Sequence, residues 1–249
     1  MEEMSHFGPR IILAFADGKI FVTETVIFAV ILAAIIAAVL LWTAKDLQRQ
    51  PSKKQVVAEF IVEFIYNMTR NTMGASNIAF APYIGTIFIF ILLGNMLGLF
   101  GFRPVTADVN TTFALSLLTF FLIEYNSIRS MGLKGKFLHM CQPFPWYVGA
   151  VTMFPLKIIE ALSRPVSLGF RLFGNILGGF IVMELIFVSL GGLSHMLSLK
   201  FPALVAVIPL PANFFFDMFE PVVQAYIFTM LTMVFISMEI IRHGADEHH

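Results

Sequence analysis

The chain has 249 residues, 58% of them hydrophobic and only 13% charged, with zero net charge at neutral pH. A soluble domain carries about 25% charged residues, so a soluble globular class is excluded and no nucleic-acid partner is expected. The single cysteine, Cys141, rules out an intrachain disulfide or a multi-cysteine metal site.

Residues 1–23 contain Glu2, Glu3, Arg10, Asp17 and Lys19 and no A-x-A cleavage site. They read as an outer-side segment and not as a signal peptide. A first span is predicted over 24–44, with Thr23 as its N-cap; Thr25 to Ala44 carries no acidic or basic residue. Lys45, Arg49, Lys53 and Lys54 follow. Val57, Phe60, Ile61, Phe64, Ile65 and Met68 then recur at helical spacing, between Glu59, Glu63 and Arg70. This pattern predicts an amphipathic helix over 55–72 lying at the membrane interface. A helix packed on the rest of the protein on the soluble side is the alternative.

Residues 82–130 read as a helical hairpin. Pro82 opens a span to about Gly101, with Asn95 flanked by Gly94 and Gly98 for close helix contact. After the short loop Phe102–Asp108 a third span covers Val109 to Ile128. Glu124 lies near its end, where Arg129 is a possible partner. Pro143, Pro145 and Trp146 mark a rigid connection at an interface.

Residues 153–242 read as two long helices. The first, from Met153 to Leu190, would be about 50 Å long against a hydrocarbon core of about 30 Å. It is therefore broken or strongly tilted, with Pro155 and Pro165 marking its start and a bend. Gly191 and Gly192 end it. The stretch Ser194–Pro211, with His195 and Lys200, is loosely specified. The last helix runs from about Asn213 to Arg242 with Pro221 as a candidate kink. The whole chain, 1–249, reads as one all-α polytopic membrane domain with about five crossings plus the interfacial helix. Basic residues follow the first and third spans, which places the N-terminus outside and the C-terminus in the cytoplasm. There is no internal repeat, no glycine-rich phosphate loop and no metalloprotease pattern.

Polar residues in the two long helices form stripes. At 100° per residue, Glu160, Arg164, Ser167, Asn175 and Gly178 fall within about 40° of Arg171. Glu184 falls about 140° away. On the last helix Asn213, Asp217 and Glu220 fall within about 40° of Gln224. Ionisable groups inside a span usually face a bundle interior, a water-filled cavity or an ion path. Arginine cannot give up its proton, so Arg171 is a fixed positive charge able to drive a proton or cation off a moving carboxylate. Asp217 and Glu220 can take a proton from outside and pass it inward. The structural alternative is that Arg171 pairs with Glu160, Asp217 or Glu220 and merely fixes helix packing. Gly169, Gly174, Gly178 and Gly179 read as packing glycines.

The segments SRPVSLGFRLFGNILGG, Ser163 to Gly179, and VQAYIFTMLTMVF, Val223 to Phe235, resemble subunit a of the membrane sector of rotary F-type ATP synthases. The order of elements is similar over nearly the whole chain. The resemblance implies a stator subunit beside a ring of small hairpin c-type subunits, each carrying an ion-binding carboxylate. It implies two offset half-channels, the last two helices packed against the ring, and peripheral-stalk b-type subunits as further partners. Arg171 matches the family's essential arginine, Asn175 its polar partner and Gln224 its glutamine on the last helix. Many relatives carry a carboxylate or histidine where this chain has Phe180. Asp217 and Glu220, with Glu184 one turn beyond Phe180, are the substitutes. Glu160, Ser167 and Glu124 are weaker candidates for the ion path. No cofactor is implied, only a translocated H+ or Na+, and ATP chemistry belongs to a soluble head. The implied location is a bacterial inner membrane. The rivals are a stand-alone transporter or channel and a purely structural membrane subunit.

Overall fold

The computed structural model describes residues 11–15, 20–45, 52–141, 146–196 and 207–246. The Pro143–Pro145 connection, Lys200 and residues 1–10 lie outside the described residues. Five helical segments are long and apolar enough to cross a membrane: Glu24–Thr43, Ala75–Phe100, Val109–Arg129, Val151–Ser194 and Pro209–Glu239. The chain is an all-α polytopic membrane protein, prefaced by one short hairpin.

That hairpin was not anticipated. Strand β1 (Ile11–Phe15) pairs antiparallel with β2 (Ile20–Thr23). Helix α1 (Glu24–Lys45) starts directly after β2 and is apolar all round, as a lipid-facing helix must be. Thr23, expected as an N-cap, instead uses its hydroxyl to reach across the chain. Thr23 and Thr25 both donate to Asp108 Oδ2, at 3.1 and 2.8 Å.

Helix α2 (Lys53–Met73) begins two residues earlier than expected because Ser52 caps it, accepting from the Gln55 amide. Its buried residues are Ile65, Thr69 and Met73, while Val57, Phe60 and Ile61 stay exposed. Lys54 lies over the Trp42 ring, 4.3 Å from its centroid, joining α2 to the end of α1. A 3-10 turn leads into α3 (Ala81–Met96), with Pro82 in its first turn, and another closes it at Gly101.

Helix α4 (Val109–Cys141) runs beyond the expected end at Ile128. It is two helices joined at Gly132, whose φ of 71° and ψ of 163° suit only glycine. The break folds Lys136 back onto Glu124 in an ion pair. In a straight helix these residues would stand roughly 18 Å apart. The expected Glu124–Arg129 pairing is therefore corrected.

Helix α5 (Trp146–Met196) starts before Pro155 and continues past Gly191 and Gly192. Two sequence expectations fail here: Pro155 does not mark the start, and the glycine pair does not end the helix; Pro165, expected at a bend, lies within the continuous helix. Each proline removes one backbone bond, and apolar helix formers on both sides carry the helix through. A Cβ added at Gly191 or Gly192 would meet nothing within 4 Å, so neither glycine is held in a turn by packing. The 44-residue candidate span within α5 would be roughly 66 Å long. That is about twice the hydrocarbon thickness of about 30 Å.

Helix α6 (Pro209–Phe214) opens the last element, four residues before the expected Asn213. One π-helical turn, Phe215–Phe219, joins it to α7 (Glu220–Asp246). Here the Glu220 amide bonds to the Phe215 carbonyl, five residues back. Pro221 explains the turn. It has no N–H to offer the Asp217 carbonyl, and its ring would crowd that carbonyl in a regular helix.

Helices α3 and α7 form the centre. One buried cluster joins Ile65, Ile84, Ile123, Met233 and Ile236, from α2, α3, α4 and α7. A second joins Ile87, Ile91, Leu168, Leu172, Ala225 and Phe228, from α3, α5 and α7. In lipid such helices associate through close packing and polar contacts, not through water expulsion. The second cluster anchors the stretch of α5 around Arg171 against the stretch of α7 around Gln224.

Candidate functional site

Leu168, Leu172 and Ile176 recur every four residues and form the buried face of α5. Gly169 lies on the same side, where a Cβ would come 3.1 Å from the Ser116 hydroxyl on α4. Arg171 projects from another face. It is exposed, and it makes no hydrogen bond or ion pair with any described residue. The three partners considered from sequence are placed elsewhere. Glu160 pairs with Lys157 at 2.9 Å and with Arg164 at 3.2 Å. Asp217 and Glu220 line a separate cleft. Ser167, on the same stripe as Arg171, is exposed.

Asn175 and Gln224, chosen from different helices, are in direct contact. The Asn175 amide Nδ2 donates to Gln224 Oε1. Gln224 is buried, so this bond ties α5 to α7 one turn beyond Arg171.

The cleft has a volume of about 270 Å³. Glu184, Asp217 and Glu220 line it together with Asn95, Asn213 and Phe180. Glu184 lay off the polar stripe in the sequence reading, and the cleft is on that other side. Phe180 and Glu184 face it together. Two glycines make room for the carboxylates. A Cβ on Gly98 would stand 3.1 Å from Asp217 Oδ1, and one on Gly179 would stand 3.3 Å from Glu220 Oε2. Gln224 does not line the cleft; it is buried against Asn175 one turn further along α7.

Glu160 and Glu124 are both held in ion pairs remote from the cleft. Sequence reasoning missed Glu239, whose Oε1 accepts from Arg164 Nη1 at 2.8 Å. It also missed Asp108, which is buried and accepts from the Asn110 amide at 2.9 Å. An Asp directly before a helix is an N-cap signature, so Asp108 carried a readable signal. Glu239 carried none. Asn95 is buried and accepts a hydrogen bond from the Thr106 hydroxyl.

The family model described as "ATP synthase A chain" matches residues 26–237. The chain is 32% identical over 231 residues to "ATP synthase subunit a, sodium ion specific" of Propionigenium modestum, covering 86% of this chain and 73% of that protein. It is 32% identical over 235 residues to ATP synthase subunit a of Moorella thermoacetica, covering 94% and 97%. The subunit a of Desulforamulus reducens is 36% identical over 205 residues, covering 80% and 72%. With a family match spanning most of its length and relatives aligned over most of theirs, the chain belongs to the subunit a family of F-type ATP synthases.

Proposed function

We propose that this chain is the ion-translocating stator subunit of an F-type ATP synthase in a bacterial inner membrane, with its N-terminus outside and its C-terminus in the cytoplasm. Its partners are a ring of small hairpin subunits and the peripheral stalk. The cleft lined by Glu184, Asp217 and Glu220 is the outer half-channel. An ion, H+ or Na+, enters there and neutralises a carboxylate on the ring. After nearly a full turn the carboxylate meets Arg171, which favours its ionised form and expels the ion toward the cytoplasm. Arg171 also bars ions from crossing directly between the half-channels. Each elementary charge gains about 2.3 kcal/mol per 100 mV, so several ions are pooled for each ATP made at the soluble head.

The observation that carries this reading is Arg171 itself. A cation on a membrane-spanning helix is costly and normally pairs inside its own bundle. Arg171 is exposed with no counterion among the described residues. Its counter-charge is therefore supplied by another subunit, which a stand-alone transporter does not explain.

The test is ATP-driven ion uptake into vesicles holding the assembled complex, unaltered or Arg171→Ala, at matched assembly. Sodium and a protonophore are varied to identify the ion. The variant is expected to lose coupled pumping entirely. Normal pumping by Arg171→Ala would reduce Arg171 to a packing residue and end the proposal.

A further inference from the structure

Arg164 and Arg171 lie two turns apart on one stripe of α5, yet only Arg164 is tied down. Its Nη1 donates to Glu239 Oε1 on α7 at 2.8 Å, and its Nη2 donates to Glu160 Oε1 at 3.2 Å. Its guanidinium carbon sits 5.6 Å from the centroid of Phe235, one turn before Glu239. The other Glu239 oxygen accepts from the Ser127 hydroxyl of α4 at 3.4 Å. Both charged side chains are largely buried, at 12% and 14% exposure. On the other side of Arg171, Asn175 is bonded to Gln224. Residues 164 and 239, then 175 and 224, then 179 and 220 meet in antiparallel order along α5 and α7. Arg171 is the unpaired charge of the stripe among the described residues, between two members fixed to α7.

We propose that the Arg164–Glu239 ion pair is a positioning device that sets the rotation of α5 on α7 and so the direction in which Arg171 points. The inference rests on the reading of Arg171 given above. A helix pinned at one point can still roll about its axis. Pinned at Arg164 and at Asn175, it cannot, and Arg171 is held at the seam. The pair lies about 10 Å along the axis from Arg171, too far to touch an ion carrier docked there. It acts through Arg171. A largely buried ion pair resists exchange with solvent, and Ser127 fixes the Glu239 carboxylate from a third helix.

The test is a double-substitution cycle in the assembled complex: Arg164→Gln, Glu239→Gln, and both. Three readouts are taken: the amount assembled, ATP-driven pumping per assembled complex, and passive ion leak through the membrane sector after removal of the soluble head. Misplacing a reacting group by about 1 Å costs up to a hundredfold, so each single variant is expected to lose about tenfold in pumping per complex and to leak more. The double variant is expected to be no worse than either single, because the two residues act as one unit. Pumping per complex that stays at the unaltered level, with loss only in assembly, overturns the proposal. So do losses that multiply in the double variant. If Glu239→Gln does not assemble, Glu239→Asp carries the test, since it keeps the charge and shortens the reach. A fewfold loss per complex supports the proposal, and unchanged pumping per complex overturns it. Arg171→Ala is measured alongside. If it pumps normally, the proposed function falls. If it is inactive while the Arg164 and Glu239 variants pump normally, only the positioning role falls.

Discussion

Asp217 and Glu220 sit three residues apart at the junction of the π-helical turn and α7, and both face one cleft. Each carboxylate lies against a glycine, Gly98 or Gly179, where any larger residue would press on it. Glu184 approaches from α5. If the cleft admits ions, two adjacent carboxylates partly substitute for one another. Asp217→Asn or Glu220→Gln alone is then expected to slow ATP-driven pumping a fewfold, and the pair together by about a hundredfold, the scale at which positioned proton carriers act. The measurement is initial pumping rate per assembled complex. A double variant no slower than the singles would remove the cleft from the ion path. Arg171, Asn175, Gln224, Asp217 and Glu220 were all readable as charged or amide side chains within apolar runs. The Arg164–Glu239 contact was not, because its partners are 75 residues apart and each has nearer candidates in sequence.

Membrane-spanning elements announced themselves through long runs without charge, and helices stand where those runs predicted spans. Their ends did not. Gly191, Gly192 and Pro155 are terminators in water, where an unpaired backbone group finds solvent. In α5 the apolar helix formers on either side outweigh them, and the helix runs through all three. Gly132 is the opposite case, a glycine that reads as unremarkable and yet carries the break in α4. Pro221 was recognised as a kink, but not its form. A π-helical turn holds one residue more than an α-turn, which rotates the preceding residues by roughly 100°. Asp217 lines the cleft from within this turn, while Gln224 on α7 bonds to Asn175. Pro221→Ala restores the missing N–H and favours a regular helix, rotating Asp217 out of its present place beside Gly98. The expected result is slower labelling of an Asp217→Cys side chain by a water-soluble thiol reagent added from the outer side. Labelling at an unchanged rate would show that the π-helical turn persists without the proline.

Viewed as a molecule, the chain is unevenly finished. Helices α3 and α7 are wrapped by neighbours, and their buried residues form the shared core. The face of α5 that bears Arg171 is open. Arg171, Gly174 and Asn175 are exposed, and a Cβ at Gly174 or Gly178 would meet nothing within 4 Å. Small residues on a membrane helix let another helix come close. Here that space lies beside Arg171, which has no counterion among the described residues. On the proposed reading the occupant is a ring subunit, and the surface is buried only in the assembled complex. Single Gly174→Cys and Gly178→Cys variants, with Cys141→Ser as background, are therefore expected to react readily with a membrane-permeant maleimide in the isolated chain. In the assembled complex the same cysteines are expected to be protected, while an exposed position away from this face, such as Ile35→Cys, reacts equally in both. Lipid alone on this face would leave Gly174→Cys and Gly178→Cys as reactive in the complex as in the free chain, and Arg171 would then lack the partner its position requires.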